Sequence, residues 1–76
     1  MNNSRRKRIA DCINKLEDAQ EKLKKVLDDE LKALASLPDD EEFDDMRNSM
    51  NDITSGLEDT LSSLDDALDT INGADF

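Results

Sequence analysis

The sequence predicts an all-α fold: an antiparallel two-helix hairpin of coiled-coil type that pairs with a second copy into a four-helix bundle. Three observations predict it. Apolar residues recur at alternating spacings of three and four on both sides of Pro38, the sole proline, and that spacing marks one face of a helix. Both halves are built mainly from helix-compatible residues, with Gly56 the one glycine away from the chain end. The break between them is only a few residues long, which forces the helices to be antiparallel neighbours. Residues 1–76 are read as a single domain, with helix 1 over about 4–36, a turn at about 37–40 and helix 2 over about 40–72.

The first helix follows a short start, residues 1–3, expected to be disordered. Ser4 or Asn3 is its expected N-cap. Arg5, Arg6, Lys7 and Arg8 then occupy the first turns, where the helix dipole disfavours cations. With Ile9 as heptad position a, the a residues are Ile9, Leu16, Leu23, Glu30 and Leu37. Position d holds Cys12, Ala19, Val26 and Ala33, and position e holds Ile13, Gln20, Leu27 and Leu34. The a/d pair is read as the seam, with Cys12 a small core residue. The full a/d/e stripe is wide enough for a helix with more than one neighbour.

Pro38 disfavours helical geometry at Leu37 and ends the first helix. Asp39 or Asp40 can cap the second, with Glu41 and Glu42 in its first turn. With Phe43 as a, the a residues are Phe43, Met50, Leu57, Leu64 and Ile71, and d holds Met46, Ile53, Thr60 and Ala67. Position e carries Leu61 and Leu68, and position g carries the small residues Ser49, Gly56, Ser63 and Thr70. Asn72-Gly73 reads as a C-terminal stop. The expected core and oligomer residues are Ile9, Ile13, Leu16, Leu23, Leu27, Leu34, Met50, Ile53, Leu57, Leu61, Leu64, Leu68 and Ile71. Closure near Pro38 makes facing residues sum to roughly 80, an extension of the hairpin geometry. Leu23 then opposes Leu57, Gln20 and Thr60 form a polar layer, and Glu30 snorkels outward.

Composition narrows the function classes. A chain of 76 residues buries only about 60% of its unfolded surface, so its core is marginal. One Cys and no His exclude an internal disulfide and argue against a zinc site. Self-association is the remaining reinforcement: a lone hairpin would leave Ile13, Leu27, Leu34, Leu61 and Leu68 exposed. No cofactor is expected. No apolar run is long enough to span a membrane, and the basic start is not followed by an apolar signal segment. With one Cys the chain suits a reducing compartment, so the bacterial cytoplasm is the expected location. Without His, an activated Ser or a cleft, no catalytic constellation emerges.

Charge is divided between the halves. The formal net charge is −10; residues 1–37 contribute +2 and residues 38–76 contribute −12, where Arg47 is the sole cation. Asp44, Asp45, Asp52, Glu58, Asp59, Asp65 and Asp66 fall at b and c of successive heptads. They are either a solvated outer face or a polyanionic surface for a basic partner or for nucleic-acid mimicry. The acidic run from Asp39 to Asp45 lacks the central Gly and spacing of an EF-hand loop. Arg5, Arg6, Lys7 and Arg8 are the alternative site, for phosphate or nucleotide. They could also clamp Asp65, Asp66 and Asp69. With two Phe and no Trp or Tyr, direct nucleic-acid binding is not expected.

The order of elements resembles small acidic helical-hairpin proteins encoded by phages and prophages. The resemblance runs through Arg5-Arg6-Lys7-Arg8, Ile9…Ile13…Leu16-Glu17, Asp28-Asp29-Glu30 and Ala35-Ser36-Leu37-Pro38. It continues through Ile53…Gly56-Leu57-Glu58 and Leu61-Ser62-Ser63-Leu64-Asp65-Asp66-Ala67-Leu68. It implies a non-enzymatic accessory protein that acts by contact with a host or defence protein, and it assigns no site residues. The architecture is also similar to plasmid RNA-binding hairpins that dimerise into four-helix bundles. This chain departs from those in its acidity and in lacking a basic, aromatic helix face.

Overall fold

The computed structural model describes residues 2–74. Helix α1 spans Asn3–Ala35 and helix α2 spans Asp44–Gly73, with one 3-10 turn, Glu41–Phe43, leading into α2. At about 1.5 Å per residue α1 is about 50 Å long. The whole fold is 59 Å in its longest dimension, so the helices lie side by side. No described residue is in a strand.

Helix α1 starts slightly earlier than its side chains suggest, at Asn3 rather than about residue 4. Asn2, not Ser4 or Asn3, is the N-cap: its Oδ1 accepts from the Arg5 N–H at 2.9 Å, and its carbonyl from the Arg6 N–H at 3.1 Å. An Asn cap satisfies one of the orphan donors of the first turn, which offsets the misplaced cations there. Asn3 is helical; Met1 lies outside the described residues. At the other end the Ser36 N–H reaches Lys32 O at 3.1 Å and its hydroxyl donates to the same carbonyl at 2.9 Å.

The turn is tied down from α2 rather than by an aspartate cap. Asp40 precedes the 3-10 turn in extended geometry, but its side chain makes no capping bond. The Phe43 N–H bonds to Asp40 O at 3.0 Å, a tight turn that leads into α2. Arg47 Nη2 donates to Pro38 O at 2.6 Å, and its Nη1 to Asp44 Oδ1 at 3.0 Å. The C-terminal stop also differs: Gly73 is not left-handed. Ala74 leaves in extended geometry, its N–H reaching Ile71 O at 3.4 Å.

The seam between the helices uses a and e, not a and d. In α1 the covered positions are Ile9, Ile13, Leu16, Gln20, Leu23, Leu27, Glu30, Leu34 and, just beyond it, Leu37. In α2 they are Arg47, Met50, Thr54, Leu57, Leu61, Leu64, Leu68 and Ile71, with Phe43 before them. Leu61 and Leu68 are buried; the other apolar members are half-buried. The d residues face water: Val26 is 52% exposed, Met46 53% and Ile53 52%. Cys12, Ala19, Ala33, Thr60 and Ala67 are exposed as well. Ile53 and Cys12 are thus not core residues. Ile13, Leu27, Leu34, Leu61 and Leu68, expected to be stranded outside a lone hairpin, are its interior.

Side-chain size explains the rotation. Two helices can bury only a narrow stripe, and the e flank offers Ile13, Leu27, Leu34, Leu61 and Leu68 against Cys, Ala and Thr at most d sites. Burying a leucine stabilises by about 1.5–3 kcal/mol, more than an alanine can return. In the first half of α2 the local preference runs the other way, toward Met46 and Ile53. A helix turns as one body, so burying Leu61 and Leu68 carries Arg47 and Thr54 inward and Met46 and Ile53 outward. The polar residues drawn in are satisfied locally. Thr54, only 6% exposed, donates to Asn51 O at 2.9 Å, and Arg47 holds the turn.

The same rotation redraws the polar layer. Gln20 is 8% exposed and its Nε2 donates to Asp65 Oδ1 on α2. Thr60 instead donates to Gly56 O within its own helix at 2.8 Å. Helical side chains lean toward their own N-terminus. In antiparallel helices, Gln20 and Asp65 therefore lean toward each other and meet across a longitudinal offset. Glu30, at a, is half-buried beside the seam.

Candidate functional site

The two rows of carboxylates on α2 follow from its heptads. With a and e turned to α1, position b lies on one flank of the seam and c on the far side of the helix, and their residues are exposed. The structure splits the seven residues into two groups. Asp44 is paired with Arg47 at 3.0 Å, and Asp65 is bonded to Gln20. Asp45, Asp52, Glu58, Asp59 and Asp66 form the outward acidic surface. Repeats of seven residues space them by about 10 Å along the helix, close to a Debye length at physiological ionic strength. Each column therefore acts as a row of partly independent charges.

Two ion pairs of α1 are local and exposed. Asp18–Lys22 and Asp28–Lys32 are i,i+4 pairs on α1, each at 3.0 Å. The hydrogen bond from Lys32 to Asp28, together with that carboxylate's charge, holds the Lys32 ammonium above its ordinary 10.5. Such surface pairs contribute little to stability. No group of three or more His, Cys, Asp or Glu among the described residues is arranged to hold a metal ion.

The basic cluster does not converge on one point. Four consecutive helical residues spread over about 300° of rotation. Arg5 and Arg8 line an open groove of about 530 Å³ with Ile9, Cys12 and Ile71. Arg6 and Lys7 do not line it. Ile9 and Ile71 meeting in one groove place the start of α1 beside the end of α2. Of the carboxylates a clamp would use, Asp65 is bonded to Gln20. No helix among the described residues is long and apolar enough to cross a membrane.

Compared with known protein families, with curated proteins and with solved structures, the chain matches none of them.

Proposed function

We propose that this protein is a non-enzymatic binding module of the phage-type accessory class. In this reading it is a self-associating helical hairpin, a dimeric four-helix bundle, working in the cytoplasm of a bacterial host. It engages a basic host or defence protein through the outer surface of α2. One observation carries the reading: Asp45, Asp52, Glu58, Asp59 and Asp66 all point outward on a helix whose single cation, Arg47, is committed to Asp44 and Pro38. A surface with so much uncompensated charge attracts a complementary partner and sets its approach.

The test is capture of partners from a bacterial lysate by the native chain and by a variant with those five residues changed to Asn or Gln. The native chain should retain a basic protein that salt releases, and the variant should lose it while keeping its helical circular dichroism. Equal capture by both would refute the acidic surface as the working one. A second reading rests on the groove shared by Arg5 and Arg8, which could take a phosphate group. Calorimetry with ATP, native against Arg5→Ala/Arg8→Ala, decides it: binding that disappears in the double variant would move the site to the basic end.

A further inference from the structure

The hairpin uses only part of its apolar stripe. A d residue sits about 80° round the helix from the centre of an a/e seam, at 100° per residue. Because the helices run in opposite directions, the same rotation brings the d rows of α1 and α2 to the same side of the ribbon. Two contacts support this assignment. Gln20 and Asp65, at e and b, meet on one side. Arg5 and Cys12, both at d, share a groove with Ile71 on the other. One broad face therefore carries Val26, Met46 and Ile53, each more than half exposed, and no d residue from Cys12 to Ala67 is charged. The opposite face carries Glu17, Lys24, Glu58 and Asp65.

We propose that this apolar face docks a second copy of the same chain, with α1 of each copy lying along α2 of the other. The proposal rests on the self-associating reading above and adds the surface and the arrangement. Size fits. A face 59 Å by 15 Å is on the order of 900 Å², against about 800 Å² per partner in a standard interface. Room fits as well: Gly56 lies on the rim of this face, and a Cβ there would meet nothing within 4 Å, so a neighbouring helix can approach closely.

Charge chooses between the two symmetric ways to stack the ribbons. With the twofold axis across the helices, α1 covers α1 and α2 covers α2, which sets two halves of −12 against each other. With the axis along the helices, each half of +2 covers a half of −12, and every neighbouring helix is antiparallel. Lys15 and Lys22, on the rim of α1, then come level with Asp66 and Asp59 of the second copy. Like-charge juxtaposition penalises the first arrangement. The second puts Cys12 opposite Ala67 of the second copy, whereas the first puts Cys12 opposite Val26. Within one hairpin, the outward-facing d positions are too far apart to be bridged.

The experiment combines sedimentation with disulfide trapping. The native chain should sediment as a dimer. Ile53→Asp should disperse it, while Leu31→Asp, an exposed leucine on the opposite face, should leave it intact. Both positions face water in the hairpin, so circular dichroism should report unchanged helicity. Under oxidation Ala67→Cys should give a covalent dimer with Cys12, and Val26→Cys should not. A dimer that Leu31→Asp disperses and Ile53→Asp spares would overturn the face. One trapped by Val26→Cys and not by Ala67→Cys would overturn the arrangement; in either case self-association would stand. A native chain that remains a monomer at every concentration would overturn the self-association reading and this inference together.

Discussion

Gln20 and Asp65, far apart in the chain, are joined side chain to side chain across the hairpin. The bond gives a buried amide its partner and takes one carboxylate out of the acidic surface. Gln20→Ala removes the bond and opens a gap in the seam, and should lower stability by about 1–2 kcal/mol. Gln20→Leu should be more stable than Gln20→Ala, since Asp65 can turn to water and a leucine fits an apolar seam. Thermal melts of the two variants rank them, and a Gln20→Ala melt equal to that of the native chain would show that the bond carries nothing.

Burial orders the seam leucines. Leu61→Ala and Leu68→Ala remove buried side chains and should each cost at least about 2 kcal/mol. Leu23→Ala and Leu57→Ala remove half-buried ones and should cost less, about 1–2 kcal/mol. Urea denaturation of the four variants should reproduce that order. Larger losses at Leu23 and Leu57 would place the centre of the core elsewhere.

The two-helix plan was legible because it rests on periodicity and on Pro38, both local signals. The rotation of the helices was harder to read. In α1 the e residue is larger than its d neighbour in every heptad, with Ile13 against Cys12 and Leu34 against Ala33 as clear cases; comparing sizes would have found the seam there. In α2 the signal reverses midway, Met46 and Ile53 favouring one flank and Leu61 and Leu68 the other. Only the packing of a rigid helix against α1 settles that conflict. The Gln20–Asp65 bond depends on this rotation, so it could not be read before it. The acidic columns were legible as positions, and so was the Asp44–Arg47 pair, i,i+3 neighbours on one helix; the removal of Asp65 was not, because only the folded chain brings Gln20 to it.

Gly56 offers a test with two signs. Its place in the helix interior costs about 1 kcal/mol relative to alanine, and the hairpin leaves open space around it. Gly56→Ala should therefore raise the melting temperature of dilute, dissociated protein. At concentrations that favour association the gain should shrink, because the added methyl group stands where a second helix approaches. A gain independent of concentration would show that nothing packs there.

Ionic conditions should act in a defined direction. With a net charge of −10, self-repulsion opposes compaction and added salt should raise the melting temperature. The Asp28–Lys32 pair behaves differently. Its lysine is held above its ordinary 10.5, so its small support is fully present below that value and is lost as pH rises through the higher folded one. Melts from pH 7 to 9 should therefore show no loss from this pair, and Lys32→Gln should flatten any fall seen above about 10.5. A Lys32→Gln profile that falls as the native one does would assign the loss to other groups.

The placement of cations has a consequence for turnover. From Asn48 to the end the chain contains no Lys or Arg, and Arg47, the last basic residue, is bonded at the turn. A protease that cuts after basic residues can shorten α1 at many points, but in α2 it can cut only after Arg47, in the first turn, even when the hairpin opens. Degradation of the acidic half must fall to enzymes that recognise apolar or acidic residues. Amine-directed modification is likewise confined to α1 and the N-terminus. The surface that carries the charge is chemically the quieter half of the molecule.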